Sequence, residues 1–409
     1  MRSSSPRGAF AYPNYRRYWL SSVAMVLATQ FRFIGAGWLV HQLTDSPFWL
    51  GVPGIISAVV TVLLMLPAGA LADRVDNQHL LSIGRGLSGL AHLAIAMLTV
   101  TGVVEVWMVL VWAAVTGALG ALTNPAQAAL LPRLIDRTAM ASAVALNGAI
   151  WNGMRIVGPA AAGLLIAAVG IGQAFFVTAA GYALSTFLTA TLKLAPHAPE
   201  SGAADSGMLA GVRYIAKNRI FFATIGLSFF TSLFGSSYVV LLPVFADDIL
   251  HAGVKGFGFL EAAAGIGALL GTLSIVRIPT GRHTGAVMIG AALAFGLWIA
   301  GFSASRSLSL SMAFLFAGGF FASVYLNLGM TTLQLMVPGE LRGRVMGVWG
   351  LTWFLSSAGG FVAASVAELL GAPLAVALGA LSVSAFALLV YLRFEEIRGM
   401  PALDGHVGS

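Results

Sequence analysis

The chain has no cysteine among its 409 residues, which excludes disulfides, thiolate nucleophiles and cysteine-based metal centres. Charge is scarce as well. Asp, Glu, Lys and Arg make up 9% of the chain, where soluble domains carry roughly a quarter. A surface so short of charge cannot be hydrated over most of its area. With 58% hydrophobic residues and a mean hydropathy of +0.89, the chain is expected to be an integral membrane protein. Chemistry-bearing patterns are missing too. The sequence has no phosphate-binding glycine loop behind a soluble strand, no nucleophile elbow and no histidine or carboxylate cluster with metal-ligand spacing. An ATP-driven pump or a membrane enzyme would have nothing to carry its chemistry. No cofactor and no metal is expected, and any work must draw on an ion or substrate gradient.

Acidic residues are outnumbered, 15 to 22, which gives a net charge of +7 and a pI near 10.0. That balance raises nucleic acid as a partner, and the placement of the cations decides against it. They sit in short connections and at the ends of the chain, with no basic stripe interleaved with stacking aromatics. The expected partner is membrane lipid, not nucleic acid.

Apolar runs long enough to cross a hydrocarbon core of about 30 Å as helices recur along the chain. Segmented at charges, prolines and glycine-rich turns, they give twelve spans: 18–42, 49–72, 80–102, 104–131, 141–168, 171–192, 220–246, 256–278, 285–303, 308–336, 345–370 and 373–392. The basic start MRSSSPRGAFAYPNYRRYW reads as a cytoplasmic lead-in to a retained first helix. Arginine and lysine then sort by side. Arg2, Arg7, Arg16, Arg17, Arg74, Arg85, Arg133, Arg137, Lys193, Arg213, Lys217, Arg219, Arg277, Arg282, Arg342, Arg344, Arg393 and Arg398 fall on one side, only Lys255 and Arg306 on the other, and Arg32 and Arg155 lie inside spans. The split predicts both termini in the cytoplasm.

The longest hydrophilic interruption, LAPHAPESGAADSG, follows span six. The expected organisation is a six-helix bundle over 1–192, a cytoplasmic linker over 193–219, and a second six-helix bundle with a short cytoplasmic tail over 220–409. Within the linker, 207–219 reads either as an amphipathic helix whose Arg213, Lys217 and Arg219 meet anionic headgroups or as a solvated linker helix. The halves echo one another: QAALLPRLIDR at 127–137 and QLMVPGELRGR at 334–344 each close a span and lead through a basic loop to a glycine-rich helix. Six-plus-six duplication is common among secondary transporters.

Between spans two and three stands GALADRVDNQH. Its Gly69, Leu71, Ala72, Asp73 and Arg74 match the start of the signature loop of the major facilitator superfamily, which the chain resembles over about its whole length. NYRRYW at 14–19, WLVHQLTDSP at 38–47, NPAQAALLP at 124–132 and RIVGPAAAGLL at 155–165 resemble more closely its branch of bacterial enterobactin and multidrug exporters. The departures are Asp76 in place of the loop's second glycine, Asn77, Gln78 and His79 after it, Thr29 where the branch often has an aspartate, and Gly153 five positions before Gly158. The resemblance implies an all-α membrane fold of twelve helices in two six-helix bundles, working by alternating access. It also implies a cytoplasmic latch in which Asp73 and Arg74 meet the helix after Arg342 and Arg344, with Gly158 and Pro159 in the gating helix. Gly69 is expected to let helix two pack closely at its end. The alternative is a plain turn whose charges meet water.

Ionisable residues within spans cost about 2.5–3.5 kcal/mol at the centre, so each is a functional candidate. Arg32 and Arg155 both lie about 14 residues into their spans, near 21 Å deep, and are expected to share a level. No carboxylate occupies that level. They fit an anionic substrate held by paired hydrogen bonds, or else they join helices through carbonyls and Gln30, Asn147 and Asn152. Glu261, roughly 8 Å from the outer end of span eight, is a proton-coupling candidate or an interfacial residue. His92 is expected to be a hydrogen-bonded packing histidine. Tyr238, Tyr325, Asn327 and Trp353, with Trp349 one turn before, are candidate cavity-lining residues.

The reading is a secondary active transporter of the bacterial inner membrane that exports a small amphipathic or anionic organic molecule, of siderophore or drug class, against protons. It is not an enzyme, and a monomer suffices. The alternatives are an importer or uniporter of an organic anion, and a transporter-like receptor or assembly factor without turnover.

Overall fold

The computed structural model describes residues 8–194, 213–216, 218–277 and 283–398. The linker after residue 194, and with it most of the expected amphipathic segment 207–219 including Lys217, lies outside the described residues. Among the described residues all regular structure is helical. Twelve helices are long and apolar enough to cross a membrane. They are α1 (Pro13–Thr44), α2 (Pro47–Ala72), α3 (Asn77–Val100), α4 (Val106–Arg133), α5 (Arg137–Val169), α6 (Ile171–Ala190), α7 (Arg219–Ile249), α8 (Gly253–Ser274), α9 (Thr284–Ala304), α10 (Leu308–Met336), α11 (Leu341–Leu370) and α12 (Ala372–Arg393). This is the all-α membrane fold that the hydropathy pattern predicts, span for span.

The boundaries move where local chemistry extends a helix. α1 begins five residues before the expected start, because Pro13 sits where a helix needs no N–H and its ring presets φ. α7 is not one regular helix: π turns at Thr231–Gly235 and Phe245–Ile249 interrupt it. α11 carries a 3-10 turn at Thr352–Phe354.

The chain divides into two compact units, one comprising Met1–Asp45 and Ile55–Ala203, the other Ser46–Gly54 and Ala204–Ser409. In the first unit, NYRRYW works as a clamp. Asn14 Nδ2 donates to Lys193 O (2.7 Å) and its Oδ1 accepts from Lys193 N (3.3 Å), while Arg17 Nη1 donates to Thr191 O (3.1 Å). Those bonds satisfy carbonyls left open at the end of α6. Tyr15 Oη donates to Ala143 O (3.1 Å) and Trp19 Nε1 to Leu146 O (3.4 Å), so α1 and α5 run parallel. Higher up, Gly158 keeps the pair close: a Cβ there would strike the Gln30 side chain.

In the second unit α8 lies against α10, where Gly267 and Gly271 leave room for the backbone oxygens of Phe316 and Phe320. Leu227, Met288, Tyr325, Leu328 and Val390 form a buried core from α7, α9, α10 and α12. The first turns of α2 belong to this unit: Ser46 Oγ donates to Glu368 Oε2 (2.7 Å) and the Phe48 ring meets Phe361 edge-on at 5.5 Å.

Helix α3 starts at a cap that the sequence pattern had marked only as a departure. Asp76 Oδ1 accepts from the backbone N–H of Gln78 (2.8 Å) and His79 (3.3 Å), and its Oδ2 lies 3.7 Å from Arg133. Burial pushes the carboxyl upward, but the two N–H donors, Arg133 and His79 outweigh it and hold its pKa below the usual value. A lowered folded pKa stabilises the fold above the unfolded value, and that gain disappears as pH falls through the folded one. Asp76→Ala is therefore expected to cost about 1 kcal/mol at neutral pH. In thermal unfolding of the detergent-solubilised protein, the gap to wild type should begin to narrow once the pH falls below about 4 and close as it passes through the lower folded value.

Candidate functional site

The α1–α5 register corrects the level of the two intramembrane arginines. Residue 15 faces 143, 19 faces 146 and 30 faces 158, so a residue of α1 lies opposite one about 128 positions later. Arg155 then sits five residues, roughly 7–8 Å, nearer the start of the helices than Arg32. The expectation of a shared level fails because the α-helix of span one begins at Pro13, five residues before the expected start, whereas that of span five begins at Met140, one residue before its own. Arg32 is half-buried. Arg155 is exposed, one turn from the exposed Trp151. The two arginines do not form one paired site.

The amides beside them bond locally. Gln30 Nε2 donates to Met154 O (3.4 Å) and Asn152 Nδ2 to Gly148 O (2.9 Å), while Asn147 Oδ1 is buried without a hydrogen bond among the described groups. His92 is a packing histidine: its Nδ1 lies 2.5 Å from Ser88 O, and its ring stacks on Tyr182 at 4.9 Å and meets Trp112 edge-on at 5.4 Å.

Glu261 lies within α8, 7% exposed, so it is a buried residue rather than an interfacial one. Tyr238 and Tyr325 are buried, against Phe302 and Phe295 respectively, and belong to the packing of the second unit. Asn327 Nδ2 donates to Ser323 O (2.8 Å). Trp349 is buried, whereas Trp353 is 58% exposed. At the signature loop, Asp73 and Arg74 are exposed after a turn closed by Asp73 N to Gly69 O (3.1 Å). A Cβ at Gly69 would meet nothing within 4 Å, so close packing is not its role; α2 makes tight approaches at Ser57, against Gly117 of α4, and at Gly51, against the Phe361 backbone. Arg342 is exposed, Arg344 is half-buried, and Gly158 and Pro159 are buried inside α5.

One functional-looking residue escaped the sequence reading. Arg85, counted there among the loop cations, is 2% exposed inside α3. Its Nη1 donates to Ser21 Oγ (2.8 Å), Ser185 Oγ (3.0 Å) and Thr189 Oγ1 (3.0 Å), and its Nη2 to Gln127 Oε1 (3.0 Å). These are neutral acceptors on α1, α6 and α4. Gln127 opens the repeated QAALLPRLIDR pattern, and that was the available signal. Each helix carries one or two hydroxyls or amides at the matching level, which only the fold brings together.

The sequence profile of the transmembrane secretion effector family matches residues 4–404. The chain belongs to that family of major facilitator transporters. It is 27% identical over 266 residues to the staphyloferrin A transporter of Staphylococcus aureus, a match spanning 64% of this chain and 66% of the relative. To the enterobactin exporter EntS of Shigella boydii it is 23% identical over 342 residues, spanning 83% of this chain and 81% of the relative. The nucleoside transporter NupG has the same fold, with a TM-score of 0.75 at 14% identity over 94% of this chain and 99% of its own. A bacterial homolog of the human lysosomal transporter Spinster superposes with a TM-score of 0.69 at 15% identity, covering 98% of this chain and all of the other. The chain is a multi-pass inner-membrane transporter and not an enzyme.

Arg85→Lys keeps the charge but cannot reach four acceptors in one plane. Arg85→Ala is expected to lower stability by about 3 kcal/mol and Arg85→Lys by roughly half as much. Thermal unfolding of the purified protein measures both.

Proposed function

We propose that this chain is a secondary active transporter that exports a small amphipathic or anionic organic molecule of siderophore class by alternating access, driven by protons. The observation that carries the reading is the match to an enterobactin exporter over 83% of a chain that holds no motif for ATP hydrolysis or bond chemistry. The similarity to a staphyloferrin A transporter supports the same substrate class. In this reading both termini face the cytoplasm, in line with the bias of arginine and lysine.

Arg32 is the anion-binding candidate, because it is a guanidinium half-buried within a span. Arg155, exposed and lower on α5, is the residue an entering or leaving anion meets separately. Glu261 is the proton-loading candidate, a carboxyl held inside α8. Asp73 and Arg74 serve the switching step that the signature loop implies.

The test is flux in proteoliposomes with an imposed pH gradient, offered a catecholate siderophore, a carboxylate siderophore or a cationic dye. Wild type is expected to move at least one siderophore with the gradient. Arg32→Gln should slow the anionic substrate about tenfold, the cost of roughly one charge-assisted hydrogen bond. Glu261→Gln should leave substrate exchange intact while abolishing the response to the gradient. Flux indifferent to the gradient in wild type would favour a uniporter, and tight binding without any flux would favour a receptor.

A further inference from the structure

Between α3 and α6 the first unit carries a groove of about 990 Å³ on its outer face. Gly86, Ala180 and Ala183 are too small to fill it, and Leu87, Leu90 and Phe187 wall it. The wall residues are 48%, 62% and 63% exposed on helices that cross the bilayer, so the groove opens onto hydrocarbon. The hydroxyls on its lining are already used: Ser82 Oγ donates to Gln78 O and Thr186 Oγ1 to Tyr182 O, each at 2.8 Å. A guest gains apolar contact there and little else. From Ser82 to Leu93, α3 rises about 16 Å, close to the depth of one leaflet of a hydrocarbon core of about 30 Å.

One end of the groove is different. Where α3 begins and α6 ends, Gln78 Nε2 donates to the carbonyls of Thr189 (3.1 Å), Ala190 (3.3 Å) and Leu192 (2.8 Å), tying the two helices together at the rim. Just beyond stand Lys193 and Arg17, both exposed and both anchored by the clamp at the end of α6. The His79 side chain, 83% exposed, stands on the same rim. The nearby carboxylate, Asp76, is occupied by the cap of α3 and by Arg133. The groove thus joins an apolar slot of one leaflet's depth to a cationic edge at the level of the headgroups.

We propose that this groove binds an anionic phospholipid of the bilayer, with an acyl chain against Gly86, Ala180 and Ala183 and the phosphate held by Lys193 and Arg17. The apolar slot selects a chain, and the rim selects the headgroup charge. The site depends on membrane embedding alone and stands whether or not the exported substrate is a siderophore.

The experiment uses the full-length protein, delipidated in detergent and given phosphatidylglycerol or phosphatidylcholine with identical chains. Bound lipid is counted by native mass spectrometry and stability is read by thermal unfolding. Wild type is expected to retain phosphatidylglycerol with at least a tenfold preference and to gain several degrees from it. Ala183→Trp, which fills the slot, should remove that retained lipid. The double variant Arg17→Gln/Lys193→Gln replaces two exposed side chains and gives up one clamp bond, Arg17 Nη1 to Thr191 O, while the Asn14 bonds to Lys193 remain, so it carries the test even if the tryptophan variant does not fold; it should bind both lipids equally and weakly. Equal retention of the two lipids by wild type, or an undiminished preference in the double variant, would overturn the proposal.

Discussion

A guanidinium removed from water must be given hydrogen-bond acceptors, and in the first unit this requirement governs how four helices are turned about their axes. Arg85 carries its charge into a lattice of apolar helices where an unmet donor costs several kcal/mol. Ser21, Ser185, Thr189 and Gln127 meet it only if α1, α6 and α4 each present one face to α3. Ser21 in turn fixes the rotation of α1, and three turns later that rotation decides which way Arg32 projects. The clamp made by NYRRYW then fixes α1 along its axis, so orientation and height are set by separate bonds.

The second unit reaches the same end without a buried cation network of that kind among the described bonds. Its helices are held by backbone approach, with glycines of α8 facing carbonyls of α10, and by an aliphatic and aromatic core. Lipid gives little hydrophobic reward for helix association, so close contact and a few polar bonds have to supply it. Thr272 and Ser323 share one such bond at 2.6 Å beside Asn327. Within the described spans, then, one unit is tied by charge and the other by shape, and the buried acid Glu261 belongs to the latter.

The twelve spans were legible because hydrocarbon thickness imposes a length that composition alone reveals, and charged turns mark the ends. The axial positions inside the spans were less so. Five residues added at Pro13 moved Arg32 relative to Arg155 by more than a turn, and no hydropathy average registers a helix that extends into its own polar lead-in. Arg85 was read as a loop cation because it lies only nine positions into α3; its hydroxyl partners are distant in sequence and individually ordinary. Gly69 shows the converse. A motif glycine suggested close packing, yet α2 is tight at Gly51 and Ser57 instead, positions with nothing in their sequence context to announce it. The aromatic candidates divided in the same way: spacing put Trp349 and Trp353 on one face, but only Trp353 emerges.

The two π turns of α7 have a consequence for how this helix tolerates changes of length. In each, a backbone N–H reaches back five residues instead of four, Ser236 to Thr231 O and Leu250 to Phe245 O. Each turn thereby stores one surplus residue without altering which side chains face inward before and after it. Loss of one residue inside either turn leaves the flanking segments in phase, because the wide turn relaxes into an ordinary one. The same loss elsewhere in the helix rotates everything beyond it by about 100° and carries buried side chains out to lipid. Span seven therefore contains two positions where the chain can lose a residue and keep its interior, and Tyr238, between them, keeps its place in the core either way.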